Sequence, residues 1–218
     1  MSFPDTRHSA LRRLHHADES VRRQSYEAII AAYWNPVRSY LCMRWGETHD
    51  NAADLTQAFF SRTIEVGTLN TYDPAKGTFR TYLRTCLDRF VMNAREHASR
   101  RQTRPLDFDV REAAESPEEL FQREWIRSLF SLAVEDLRAS QDAIRFRVFE
   151  IYDLSESDER PTYASLATQF GTTTDRINNY LAAARRDFRK AVLYRLRELT
   201  ANEREFRAEA RAILGVEV

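Results

Sequence analysis

Asn70, Tyr72 and Lys76 stand close together in a short polar stretch, and Arg80, Arg84, Arg89, Arg95, Arg100 and Arg101 follow at helical intervals. Their chemistry is non-covalent. Tyr72 offers a face on which an unstacked base can lie, Asn70 and Lys76 can hold the adjoining phosphates, and the guanidiniums can track a sugar-phosphate backbone. Between Lys76 and Arg104 eight basic residues stand against Asp88 and Glu96, a local charge of +6 in a chain of formal charge zero. A second group lies far downstream: Thr174, Asp175, Arg176, Asn178 and Asn179, then Arg185 and Arg186. Arginine and asparagine make bidentate contacts with guanine and adenine edges in a major groove, whereas the later arginines suit phosphates. No histidine-carboxylate pair, glycine-rich phosphate loop or nucleophile motif is visible, so neither an enzyme nor a cofactor is expected.

These residues need rigid elements to present them, and the composition points to helices. The chain has 218 residues, enough for one or two domains, with 5 glycines, 6 prolines and almost no alternating runs. An all-α fold is expected. Zero net charge means that no global field draws the chain to nucleic acid or to an anionic membrane, so any attraction must be local. Of the 33 basic residues 31 are arginine, and the two cysteines, Cys42 and Cys86, form no CxxC pair. They read as buried thiols in a reducing compartment, and without an apolar leader or span the expected location is cytoplasmic. His15 and His16, adjacent and pointing apart on a helix, make a metal site unexpected.

After a polar segment, 1–18, Val21 to Trp45 reads as a helix with Tyr26, Ile29, Ile30, Tyr33, Val37 and Leu41 inward and a kink or break at Asn35-Pro36. Asn51 to Val66 is a second helix. Leu55, Phe59, Phe60, Ile64 and Val66 fall on one arc with Thr56 and Thr63 between them, while Asp54, Gln57, Ala58, Ser61, Arg62 and Glu65 share the opposite side. Phe79, Leu83, Cys86, Leu87, Phe90 and Ala94 then mark the buried stripe of the first basic helix. From Pro105 to Glu124 the charge inverts to −5, which reads as an acidic linker that ends at a helix N-cap before Glu118 and Glu119.

Leu120 to Ala139 and Ala143 to Leu154 read as scaffold helices, the first striped by Leu129, Leu132, Ala133 and Leu137. Ile144, Phe146, Val148, Phe149 and Tyr152 form the second group. Between Pro161 and Lys190 a helix from Thr162 to Phe170 ends at Gly171. A second helix starts after Thr173 as N-cap, with Ile177 and Leu181 inward. A small residue at Ala167, a glycine turn and an apolar residue six positions on is the spacing of a helix-turn-helix, because its second helix must pack closely across its first. Leu199 to Val218 adds an amphipathic segment with Phe206, Ala210, Ile213 and Leu214. The pattern leaves open whether it packs on the second domain or covers that domain's DNA-reading face.

The string DLTQAFF, then YDPAKGTFRTYL and an arginine-rich helix, resembles region 2 of bacterial RNA polymerase sigma factors of the extracytoplasmic-function type, in the sigma-70 superfamily. The helix-turn-helix resembles their region 4. The likeness covers roughly residues 20 to 200, with the motifs in the family's order. It implies two helical domains, a region 2-like bundle at 19–104 and a region 4-like helix-turn-helix domain at 120–199, joined by the linker 105–119, with 200–218 as an extension. It implies core RNA polymerase and promoter DNA as partners, and no membrane. By resemblance Asp54, Gln57, Ala58 and Ser61 would face the polymerase. Asn70, Tyr72, Lys76, Arg80, Arg84, Arg95, Arg100 and Arg101 would hold opened minus-ten DNA. Thr174, Asp175, Arg176, Asn178, Asn179, Arg185 and Arg186 would bind the minus-thirty-five element.

One departure bears on control. Ala53 and Ala58 stand where family members carry acidic residues. Phosphorylation of Ser61, Thr63 or Thr56 would return negative charge to the docking helix and switch polymerase binding on; the alternative is that Asp54 and Glu65 suffice. The expected controller is a Ser/Thr kinase or an anti-sigma protein. The alternative function is a stand-alone helix-turn-helix repressor or activator. That reading leaves the Asp54/Gln57 helix and the first basic helix without a role.

Overall fold

A computed structural model describes residues 9–101, 115–155 and 160–215, with no side-chain description for 98–101. The described chain is all-helical and contains no strand. Its elements are α1 (Ala10–Arg13), α2 (Glu19–Trp45), α3 (His49–Glu65), a 3-10 turn (Thr68–Thr71), α4 (Phe79–Arg101), α5 (Pro117–Ser140), α6 (Ala143–Phe149), a π-helical turn (Glu150–Leu154), α7 (Tyr163–Gln169), α8 (Thr174–Glu198) and α9 (Glu203–Leu214). Two compact units result: 1–129 with 196–218, and 130–195. The division falls inside α5 and α8, whereas the sequence reading put its boundary at 105–119, most of which lies outside the described residues. Among the described residues no helix is long and apolar enough to cross a membrane.

Local capping fixes the helix starts. The Asp18 carboxylate accepts from the Ser20 amide at 2.8 Å, and α2 stops at Gly46, whose φ of 67° is left-handed. α2 runs through Pro36 without a break in the helix, with that proline buried. Ser116 and Glu119 cap α5 reciprocally, each side chain accepting from the other's amide, at 3.2 and 2.9 Å.

The core of the first unit is aromatic. Tyr33 lies 5.6 Å from Phe79, edge to face, and stacks against Phe121 and Trp125, while Tyr40 meets Phe121 at 5.4 Å. Leu83, Leu87 and Val91 carry α4 into this core. Each such side chain contributes roughly 1.5–3 kcal/mol of burial, which fixes which face of α4 points out. Two expected inward residues of α3 do not go inside: Ile64 is 38% and Val66 53% exposed, because the helix ends at Glu65 and its last turn passes the edge of the core. Thr56 and Thr63 are buried instead.

In the second unit Val148, Leu166, Ala167, Ile177 and Leu181 form one apolar cluster, and Leu137, Phe146, Phe149 and Ala184 a second. Ile144, expected inward, is 47% exposed, since it sits in the first turn after the Asp142 cap.

Candidate nucleic-acid interface

The helix-turn-helix of the second unit is built from α7 and α8. Thr162 caps α7, accepting from the Ser165 amide at 3.1 Å. The turn closes through Thr172 N–H to the Ala167 carbonyl at 2.9 Å, with Gly171 at φ 60°. A side chain is strained in that left-handed conformation, so the sharp reversal falls on the residue without one. Thr173 then caps α8, accepting from the Arg176 amide at 3.3 Å. With Ile177 and Leu181 fully buried against Leu166 and Ala167, the remaining positions of the first turns must face solvent: Thr174, Asp175, Arg176, Asn178 and Asn179 are all exposed. One cationic, two amide, one hydroxyl and one carboxylate side chain on a helix's first turns can read base edges.

Further along α8 the two expected phosphate contacts differ. Arg186 is exposed. Arg185, also exposed, is paired: its Nε and Nη2 each donate to Asp153 at 2.8 Å, and this bidentate pairing holds its guanidinium in the charged form more firmly than usual. In this structure Arg185 bridges α8 and the π-helical turn, with its side chain 47% exposed.

In the first unit the outer face of α3 is open. Asp54, Gln57, Ala58, Ser61, Arg62 and Glu65 are exposed, and Ser61 and Arg62 line a shallow groove of about 520 Å³ with Phe90, Asn93 and His97 of α4. The three hydroxyls named as modification sites separate sharply. Ser61 faces solvent, whereas Thr56 donates to the Ala52 carbonyl at 2.6 Å and Thr63 to the Phe60 carbonyl at 2.9 Å, both buried. A kinase cannot reach the two threonines in this fold, and they drop out as candidates.

The basic surface of α4 is less available than its arginine count implies. Arg80, only 12% exposed, pairs with Glu209 of α9 at 3.0 Å and lies over the Trp125 ring at 4.5 Å. Arg84 donates to Asp88 at 2.8 Å, with Glu118 of α5 at 3.8 Å. Arg95 donates to Glu47 and to the Trp45 carbonyl, both at 2.6 Å, and stacks on the Trp45 ring. In this state all three stitch the bundle together instead of facing DNA, their side chains no more than 19% exposed. Arg89 is exposed. Arg100 and Arg101 lie outside the residues whose side chains are described.

The loop before α4 keeps part of its expected character. Lys76 reaches out, 84% exposed, with Asp73 at 3.7 Å. Tyr72 is half-buried: it meets the Phe79 ring at 5.2 Å and donates to the Gly77 carbonyl at 2.9 Å, and burial raises its phenol pKa. Asn70 accepts from the Tyr26 hydroxyl at 3.1 Å. The loop is thus pre-shaped by its own side chains, with Lys76 as its outward charge.

The sequence reading missed the acidic partners. Asp88 takes Tyr40, Trp45 and Arg84 together. Burial, and then the Asp88 charge, push the Tyr40 phenol up to about 12. Glu209 is buried on a helix read only for its apolar stripe. A carboxylate at an inward helical position, four residues after Glu205, was the signal available. Among the described residues no group of three or more His, Cys, Asp or Glu side chains is arranged to hold a metal ion.

No protein-family model and no curated protein sequence matches this chain.

Proposed function

We propose that this chain is a promoter-specificity subunit of RNA polymerase, resembling the extracytoplasmic-function sigma factors, with a region 2-like first part and a region 4-like second part. The observation that carries this reading is the capped α7–α8 hairpin, whose closely packed turn leaves Thr174, Arg176, Asn178 and Asn179 exposed on the first turns of a long helix. A second support is the polar outer face of α3, where Asp54, Gln57 and Ser61 are open to a partner. In this reading α3 docks on core RNA polymerase. The loop with Lys76 and the exposed Arg89 of α4 hold opened minus-ten DNA, joined by Arg80, Arg84 and Arg95 once their bundle pairings open, and the start of α8 reads the upstream element. Ser61 is the hydroxyl at which phosphorylation by a Ser/Thr kinase would add negative charge to the docking face.

Purified chain mixed with core RNA polymerase should co-elute with it and direct initiation from promoter templates. Tight, sequence-specific binding to duplex DNA by the chain alone, with no association with polymerase, is the result that overturns the proposal in favour of a stand-alone repressor or activator.

A further inference from the structure

The C-terminal helix α9 packs against the N-terminus of α4, within the first unit. Its two inward carboxylates lie one turn apart. The Glu205 carboxylate accepts from the Ala201 amide at 2.7 Å, and the Phe79 amide, at the first residue of α4, counters part of the rise that burial causes in its pKa. Glu209 pairs with Arg80, the next residue of α4, at 3.0 Å, both side chains at least 88% buried. An acidic group is thus placed at the positive end of the helix dipole and another on its first guanidinium, where a DNA phosphate would otherwise be drawn. The rest of the segment is tied down as well. Ser9 donates to the Thr200 carbonyl at 2.6 Å, Arg12 to the Ala201 carbonyl at 2.7 Å, and Arg197 lies over the Phe206 ring at 4.0 Å.

Resting on the sigma-factor reading, we propose that α9 is an autoinhibitory strap: Glu205 and Glu209 mimic the phosphates of opened promoter DNA at the start of α4 and must leave before that DNA can bind. Two features favour a strap over a purely structural helix. The hold on α4 is ionic and directed at its amide end and first arginine, so a strand of phosphates can replace it without leaving Arg80 unpaired. And α9 is short, with Phe206 and Ala210 the only fully inward apolar residues of its 12, so the apolar area lost on release is small.

The test uses the full chain and a fluorescent single strand of about 20 nucleotides, followed by anisotropy at low salt. If the closed form holds about nine molecules in ten, the Glu205→Gln/Glu209→Gln chain should bind roughly tenfold more tightly than the parent. The gain should vanish when Arg80→Gln is added. An unchanged affinity in a double variant whose circular dichroism matches the parent overturns the strap. Should the double variant not fold, the parent chain decides: hydrogen exchange of residues 203–214 should accelerate when the strand saturates, and unchanged protection at saturation overturns the proposal. Failure to bind both polymerase and strand sinks the sigma-factor reading and the strap together. Polymerase binding with unchanged protection of 203–214 sinks the strap alone.

Discussion

Three hydroxyl side chains on one helix, chemically near-equivalent in the sequence, have different fates once the helix is packed. Ser61 projects beside Arg62 and His97, while Thr56 and Thr63 return their hydroxyls to carbonyls of their own helix. A β-branched threonine on an inward arc buries its methyl and satisfies its hydroxyl locally, which is why it can stand in a core. Ser61→Asp should therefore leave the fold intact and strengthen association with core polymerase, read by fluorescence anisotropy, if negative charge on this face is what docking requires. Thr63→Asp should do the opposite to the fold. A buried carboxylate without a partner costs roughly 3 kcal/mol or more, visible as a lowered urea midpoint, so any loss of binding in that chain reports unfolding instead of docking.

Among the elements, the α7–α8 hairpin depends most on one backbone conformation. Gly171 has φ 60° and an added Cβ would meet nothing within 4 Å, so Gly171→Ala isolates the cost of the left-handed conformation from any clash. That cost is about 1–2 kcal/mol, and it should appear as a lower thermal midpoint of the second unit with the exposed residues of α8 unaltered. This element was also the most legible in the sequence. Its two caps, Thr162 and Thr173, its small Ala167 and its inward Ile177 and Leu181 act over a few residues, and their spacing alone fixes how they meet. The basic helix was legible only in part. Its apolar stripe placed Phe79, Leu83 and Leu87 in the core, but the state of its arginines depended on acids far away in the chain. Arg95 finds Glu47 across 48 residues, Arg80 finds Glu209 on the last helix, and Arg185 in the other unit finds Asp153 across 32. No helical periodicity encodes such pairs, because a charge counted as exposed by its position on one helix is paired by the arrival of another.

At the scale of the whole chain, α9 brings a charged residue into the first unit under conditions that oppose its charge. Glu205 is partly buried, and desolvation raises its carboxyl pKa above the usual range, while the Ala201 and Phe79 amides pull it back. Glu209 adds repulsion and Arg80 attraction. A group whose folded pKa lies above its unfolded value binds protons more readily in the folded state. Its stabilising contribution is fully present below the ordinary carboxylate range and is lost as pH rises through the raised value. Glu203 and Glu150 titrate in the other sense, each held low chiefly by arginine contacts, Arg207 and Arg197 for the first and Arg147 and Arg138 for the second, so their contribution is lost on acidification. Raw stability against pH mixes the two. The difference between the parent and Glu205→Gln isolates the first, because glutamine keeps the shape and an acceptor for the amides but does not titrate. Measured by urea unfolding from pH 7 downward, the parent should gain stability relative to the variant as pH falls through the raised Glu205 pKa, and the gain should level off below the usual carboxylate range. A difference that stays flat across that window means that Glu205 is no more burdened in the folded chain than in the unfolded one, and that α9 does not bury it against α4.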